Sequence, residues 1–499
     1  MRVDPVEVPA RAPEGLTRRL AAGRGPMLVA AGAVALLMAV SSRYGWHRDE
    51  LYFFAAGKRL AWGYVDQPPL VPVVARVSSE LFGGSLVGLR LVPALAIGAV
   101  VLLSAAMAGD LGGGRRARLL AAIAAALCPV LIGAGHLLAT ATFDVLAWTV
   151  LTWLVVRALA GGDERLWLAV GAVAGIGFLN KHSMVLVVGA LGVALLLGAR
   201  RGVLRSPWVW GGVAIAVVLA LPNVAWHASN DWPVVDMTES LQDESESIDG
   251  ALFVPLQFGM TAFTAVVWLP GLWWLLRAPA ARQWRAVGVA YLILVGFFVI
   301  TAGKPYYLAG MYPVLFAAGA VWWEQRGRMT LPTTVVALSA LGLVMAIPVR
   351  PASSAADVPV EDLELEFGAQ LGWEDLVDHV AVAHDSLASE GDEVAIVTAN
   401  YGEAGAVDRF GPSHGLPGAS SPHNNYWLWG PPGGETDRAV VVGFGRADVE
   451  EWFADCRLVW RFRTPHGVAS EEEGEPVWAC RDQRVDWDTL WPELQAYRA

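Results

Sequence analysis

Eleven apolar runs, each approaching the roughly 20 residues that cross a bilayer, recur between Met27 and Pro348 and constrain this chain more than any other feature. They fall at about 27–43, 87–108, 119–138, 143–160, 166–180, 184–199, 208–227, 252–276, 287–302, 308–323 and 330–348. A backbone in hydrocarbon must satisfy its own hydrogen bonds, so such runs read as helices. The predicted class is an all-α polytopic membrane domain over 27–350 with about 11 transmembrane helices. The charged fraction agrees: it is 17%, against about 25% in soluble domains. The first run lacks a small-residue cleavage site and opens a series of spans, so no cleavable signal is expected.

Orientation follows from the arginines. They gather in segment 1–26 (Arg2, Arg11, Arg18, Arg19, Arg24) and in alternate loops at Arg115–Arg118, Arg200–Arg205, Arg277–Arg285 and Arg326–Arg328. The intervening loops are poor in bases, and 228–251 has seven acids and no Lys or Arg. Basic loops stay cytoplasmic. Segment 1–26 is therefore expected on the cytoplasmic side of the cell membrane, and an odd number of spans puts the carboxyl end outside.

Residues 351–499 are a different material, with 28 Asp and Glu against 9 Arg, whereas 1–350 has 19 acids against 27 bases. The asymmetry predicts a soluble acidic exterior domain over 351–499 and argues against a nucleic-acid partner. Stretches 393–398, 438–443, 457–463 and 477–480 read as strands, and 372–389 and 447–454 as helices, giving a small α/β domain. A Pro-, Ala- and Ser-rich link joins it to the membrane part at 348–359. Cys128 lies inside a span and reads as packing. Cys456 and Cys480 lie beside neighbouring predicted strands in an oxidising compartment, where a disulfide is expected.

The candidate chemistry sits on the outward side. Asp49 and Glu50 follow the first run; acids beside hydrocarbon face a cavity and do chemistry or bind ions, or else stay in a solvated loop. Only three lysines accompany 33 arginines, and Lys58, Lys181 and Lys304 all fall at outward span ends. Each alone reads as a snorkelling anchor. Together, opposite to the positive-inside bias, they read as a phosphate cradle. Asp66, Asp144 and Arg90 share that face, Asp144 also reading as a helix N-cap and Arg90 as an interface anchor.

The ordered series Arg48-Asp49-Glu50-Leu51-Tyr52, Gly63-Tyr64-Val65-Asp66-Gln67-Pro68-Pro69-Leu70, Arg90-Leu91-Val92-Pro93, Thr142-Phe143-Asp144, Gly175–Lys181 and Gly303-Lys304-Pro305-Tyr306-Tyr307-Leu308 resembles the polyprenyl-phosphate-sugar glycosyltransferases of the GT-C fold. Closest in pattern are bacterial protein O-mannosyltransferase-like and aminoarabinose lipid A transferase-like enzymes. The resemblance implies a polyprenyl-phosphate-linked sugar donor and a hydroxyl acceptor on a protein, glycolipid or polysaccharide. It maps the catalytic base to Asp49, with Glu50 orienting the loop or binding acceptor. It maps the phosphate-holding cations to Lys181, Lys304 and Arg90, with Lys58 a weaker correspondence. Asp66, Asp144, Tyr306 and Tyr307 join the implied substrate site. Where many relatives have Thr-Lys-Gly this chain has Asn180-Lys181-His182, so His182 narrows the pocket or contacts substrate. The tail motifs Asn400–Ala406 and His423–Gly430 recur in actinobacterial members without an assigned role; their Asn, Tyr and Gly residues suit sugar binding, turns or packing on the membrane body. The segment around Leu70–Leu81 is amphipathic and suits the outer membrane surface.

The chemistry agrees with that resemblance. Glycosyl transfer passes through oxocarbenium-like character, fixed cations stabilise a departing phosphate, and a carboxylate can take the acceptor proton. No cofactor is expected; a divalent metal held by Asp49 with Asp144 stays open as an alternative, with no spacing pattern that demands it. The rival readings are a transporter or flippase of a lipid-linked anion and a non-catalytic envelope assembly protein. No inverted repeat with broken spans supports the first, and the retained Asp49, Lys181 and Lys304 disfavour the second.

Overall fold

The computed structural model describes residues 23–161, 163–245, 250–357, 361–388, 393–433 and 436–498. Of the expected cytoplasmic segment 1–26, residues 1–22 lie outside the described residues. Every apolar run contains helix. Among the described residues, five helical segments are long and apolar enough to cross a membrane: Leu86–Asp110, Thr140–Leu159, Pro207–Ser229, Gly250–Arg277 and Pro279–Ile300. Shorter apolar helices occupy Arg24–Val40, Leu166–Phe178, Met184–Leu197 and Thr330–Ala346. The run at 119–138 is not one rod. Helix Arg115–Ala126 stops and Pro129–Ala134 starts anew, because proline has no N–H to continue a helix but suits a first turn.

Small residues set the helix spacing, as expected where lipid supplies no hydrophobic drive between helices. A Cβ at Gly171 would strike the Gly212 backbone, and one at Gly319 the Val267 carbonyl.

Hydrogen bonds between loops sort them into two ends. At one, Glu324 accepts from the Ala117 N–H (3.1 Å), Ser206 donates to Glu164 (2.6 Å) and Arg200 to Gln283 (3.4 Å). At the other, the Leu70 N–H meets the Leu179 carbonyl (2.9 Å), and Asn180 and Asn223 donate to the Thr140 and Trp62 carbonyls (2.9 Å each). The arginine-bearing loops share the first end and the base-poor loops the second.

The carboxyl-terminal domain sits on the second end. Its sheet has strands β1 (Ala395–Thr398), β2 (Ala439–Val442), β3 (Phe453–Arg461) and β4 (Pro476–Gln483) in the order β1-β2-β4-β3. β1 and β2 are parallel, and the other pairs are antiparallel. Alternate residues divide between two cores, as strand geometry requires. Val397, Val441 and Cys480 pack with Trp452, Trp487 and Trp491. Ile396, Val440 and Ala479 join Leu376, Val377 and Val380 of helix Trp373–Leu387 in a core that also holds Leu51, Tyr52 and Phe53. The domain thus shares a core with the helix that bears Asp49. Cys456 and Cys480 face each other across β3 and β4 and are disulfide-bonded. Cys128 is buried and free.

Helix Leu70–Phe82 packs on Arg48–Lys58 and Leu86–Asp110, leaving Val73, Val77 and Leu81 exposed in a stripe.

Candidate active site

His47 starts the helix Arg48–Lys58: its Nδ1 accepts the Asp49 N–H (3.1 Å), and Glu50 Oε2 reaches back to the His47 N–H (3.0 Å). Successive helix residues point about 100° apart, so the adjacent acids separate. Glu50 turns inward and is fully buried. Arg90 grips it with Nη2 at 2.6 Å and Nε at 3.0 Å, and the Leu138 N–H donates at 3.1 Å. Burial works to raise the Glu50 carboxyl, but the Arg90 guanidinium and the backbone N–H donors hold it below its ordinary range. Arg90 spends its remaining donors on the Ser41 (2.8 Å) and Gly45 (2.7 Å) carbonyls and is 1% exposed. Expected beside a lipid phosphate, Arg90 instead closes on Glu50. Glu50 likewise orients the Asp49 helix and presents no free carboxylate.

Asp49 turns outward, its side chain 38% exposed. Tyr401 donates its phenol O–H to Asp49 Oδ1 at 2.9 Å. His47 Nε2 lies 3.3 Å from Glu366. The Glu366 side chain is 63% exposed, and His47, Arg48 and Lys304 together hold its carboxyl low, which places Lys304 within electrostatic reach.

Lys181 faces the same cluster, its Nζ 4.5 Å from the Tyr307 ring centre and 5.3 Å from that of Tyr306. Its charge is felt at Asp144, and Tyr306 lies within electrostatic reach of Asp49, Asp144 and Glu366. Asp144 is no N-cap: it lies past the first turn of Thr140–Leu159 and accepts from Ser183 Oγ (3.0 Å). Among the described residues neither the Lys181 nor the Lys304 ammonium is in an ion pair. Aromatic faces favour a cation without neutralising it.

The other expected residues stand at the margin. Lys58 is exposed, over the Phe54 ring (4.6 Å) and 3.4 Å from the Asp408 carbonyl. His182 turns to Asn223 (2.9 Å) and Phe178. Asp66 accepts from the Tyr52 hydroxyl at 2.8 Å; burial pushes its carboxyl up to about 7 despite that bond, with the Asp49 charge adding to the rise. Among the described residues no three His, Cys, Asp or Glu side chains converge as a metal-ligand set.

Sequence reasoning missed the tail's part in this cluster. Asn400–Ala406 opens a helix, Tyr401–Phe410, capped by Asn400 and Glu403 in reciprocal bonds (2.9 and 3.2 Å). A Cβ at Gly405 would come within 2.9 Å of the Leu51 backbone, and one at Gly402 within 3.0 Å of Arg48 Cβ. Those glycines let the helix lie against Arg48–Lys58. Arg48 pairs with Glu471, and Asn425 Oδ1 accepts the Val65 N–H (2.6 Å). The legible signal was the Asn-x-x-Glu capping spacing at Asn400 and Glu403.

Residues 66–226 match the family model described as dolichyl-phosphate-mannose-protein mannosyltransferase. A lipid A galacturonosyltransferase of Rhizobium johnstonii is 28% identical over 316 residues, 58% of this chain and 64% of that protein, so the match spans less than two thirds of the relative. The structure of ArnT from Cupriavidus metallidurans bound to undecaprenyl phosphate superposes with TM-score 0.59 at 17% identity, covering 91% of this chain and 97% of that one. The apo form of the same protein gives TM-score 0.59 at 15% identity. Family match and shape agree on a multi-pass membrane protein with the GT-C glycosyltransferase fold.

Proposed function

We propose that this chain is a membrane glycosyltransferase that moves a sugar from a polyprenyl-phosphate donor to a hydroxyl acceptor. The transfer takes place at the membrane face carrying the carboxyl-terminal domain, and that face lies outside the cytoplasm. One observation carries the reading: an accessible carboxylate, Asp49, shares a cluster with Lys181, whose ammonium lies over the Tyr306 and Tyr307 rings, and with Lys304, within electrostatic reach of Glu366, and among the described residues neither lysine is in an ion pair. The mannosyltransferase family match and the likeness to a structure bound to undecaprenyl phosphate support a lipid-phosphate donor.

In this reading Lys181 and Lys304 hold the donor phosphate and stabilise the charge it gains on leaving. Asp49 accepts the acceptor proton as the hydroxyl oxygen bonds to the anomeric carbon and the carbon–oxygen bond to phosphate breaks. A direct displacement of this kind inverts the anomeric centre. Glu50 and Arg90 fix the helix that aims Asp49.

The test is transfer by purified protein from a panel of polyprenyl-phosphate sugars. Asp49→Asn keeps the shape of the side chain but cannot take a proton. General-base catalysis contributes about 10²- to 10⁴-fold, so turnover falls by that factor while donor binding survives. Wild-type turnover in Asp49→Asn with a dead Asp144→Asn would move the base to Asp144.

A further inference from the structure

The carboxyl-terminal domain reaches the Asp49 carboxylate itself through Tyr401. Its hydroxyl is 2.9 Å from Asp49 Oδ1, across 352 residues of sequence. The ring is held on three sides: by Tyr52 (4.8 Å between ring centres), by His423 (4.8 Å) and by the Arg48 guanidinium (5.1 Å). The backbone is held too, since the Tyr401 N–H donates to His423 Nδ1 at 3.3 Å. Its helix cannot back away without losing the Gly402 and Gly405 contacts on Arg48 and Leu51. A phenol fixed this firmly has one free variable, its hydroxyl proton, and that proton points at Asp49.

We propose that Tyr401 is the positioning residue for Asp49, which makes the carboxyl-terminal domain part of the catalytic machinery rather than a separate binding module. The bond takes up Oδ1 and fixes the carboxylate's rotation. Oδ2, 4.0 Å from His47 Nδ1, is left to take the acceptor proton. The inference rests on Asp49 being the base. A free carboxylate on an exposed helix turn samples several rotamers, and placement errors of about 1 Å cost about 10²-fold in rate.

The experiment compares Tyr401→Phe, Asp49→Asn and the double variant in full-length protein, with kcat and KM for a polyprenyl-phosphate sugar measured separately. Tyr401→Phe keeps every ring contact and removes only the hydroxyl. It should lower kcat about 10- to 100-fold, the range for a hydrogen bond to a charged group, with donor KM unchanged. Acting through Asp49, it should add nothing to Asp49→Asn, so that the double variant matches the single one. Gly405→Ala, which pushes the helix off Leu51 while keeping the hydroxyl, should lower kcat in the same way. A Tyr401→Phe enzyme with wild-type kcat, beside a crippled Asp49→Asn, overturns the positioning role alone. Additive losses in the double variant overturn it as well. Wild-type turnover in Asp49→Asn overturns the base assignment on which it rests.

Discussion

Replacing Arg90 with Met should unfold the protein rather than merely weaken its hold on substrate. The substitution removes three contacts to the Glu50 carboxylate, at 2.6, 3.0 and 3.2 Å, and the donors to the Ser41 and Gly45 carbonyls. Glu50 would remain fully buried with only the His47 and Leu138 N–H groups for partners. Breaking a buried pair by removing one member costs about 3–5 kcal/mol, and each carbonyl left bare adds about 1 kcal/mol or more. The sum, about 5 kcal/mol or above, is comparable to the whole stability of a typical domain, about 5–15 kcal/mol. Thermal melting in detergent, followed by size-exclusion chromatography, should show Arg90→Met aggregating well below the wild-type melting temperature. The double variant Arg90→Met/Glu50→Leu removes both charges and should recover much of the loss, because apolar replacement of a buried pair is often near neutral. A normally melting Arg90→Met protein that has lost only donor binding would refute this reasoning and return Arg90 to the phosphate.

Lys181→Met and Lys304→Met should fold normally and raise the donor Kd, whereas Lys58→Met, against the Asp408 carbonyl, should leave it unchanged; equilibrium binding of a polyprenyl phosphate checks this. Glu403 is buried, and burial together with the Glu472 charge pushes its carboxyl up to about 8. Folded protein therefore holds this proton more tightly than unfolded chain, and the associated stability is present in acid and drains away as pH rises through about 8. Glu403→Gln can still accept the Asn400 N–H, so its melting temperature should fall less than that of wild type between pH 6 and pH 9; parallel curves would count against the shift. A reporter active only outside the cytoplasm should work when fused after Arg498 and fail at Gly113, and the reverse pattern would overturn the proposed orientation.

The helices were legible because a bilayer leaves few alternatives: each run from 27–43 to 330–348 contains helix. The strands were legible from alternation, although β3 starts at Phe453, four residues before the expected 457. The separate fates of Asp49 and Glu50 were not legible. Their adjacency suggests a shared role, and only the partner 40 residues away, Arg90, decides which acid turns inward. The helix Tyr401–Phe410 was hidden for a related reason. Glycine is a poor helix former, so Gly402 and Gly405 read as turn residues until the Arg48–Lys58 helix they touch is known. Long-range contacts of this kind leave no local periodicity to read.

The 352 residues between Asp49 and Tyr401 also set a clock. Ribosomes add about 5–20 residues per second, so the helix bearing the carboxylate is made roughly 20–70 s before the phenol that steadies it. Until the last third of the chain has been synthesised and folded, a nascent molecule carries every lysine and the aspartate yet lacks the phenol proposed to steady it. On the proposed reading, copies lacking the phenol would turn over about 10- to 100-fold more slowly, and full activity would come only when biogenesis is complete.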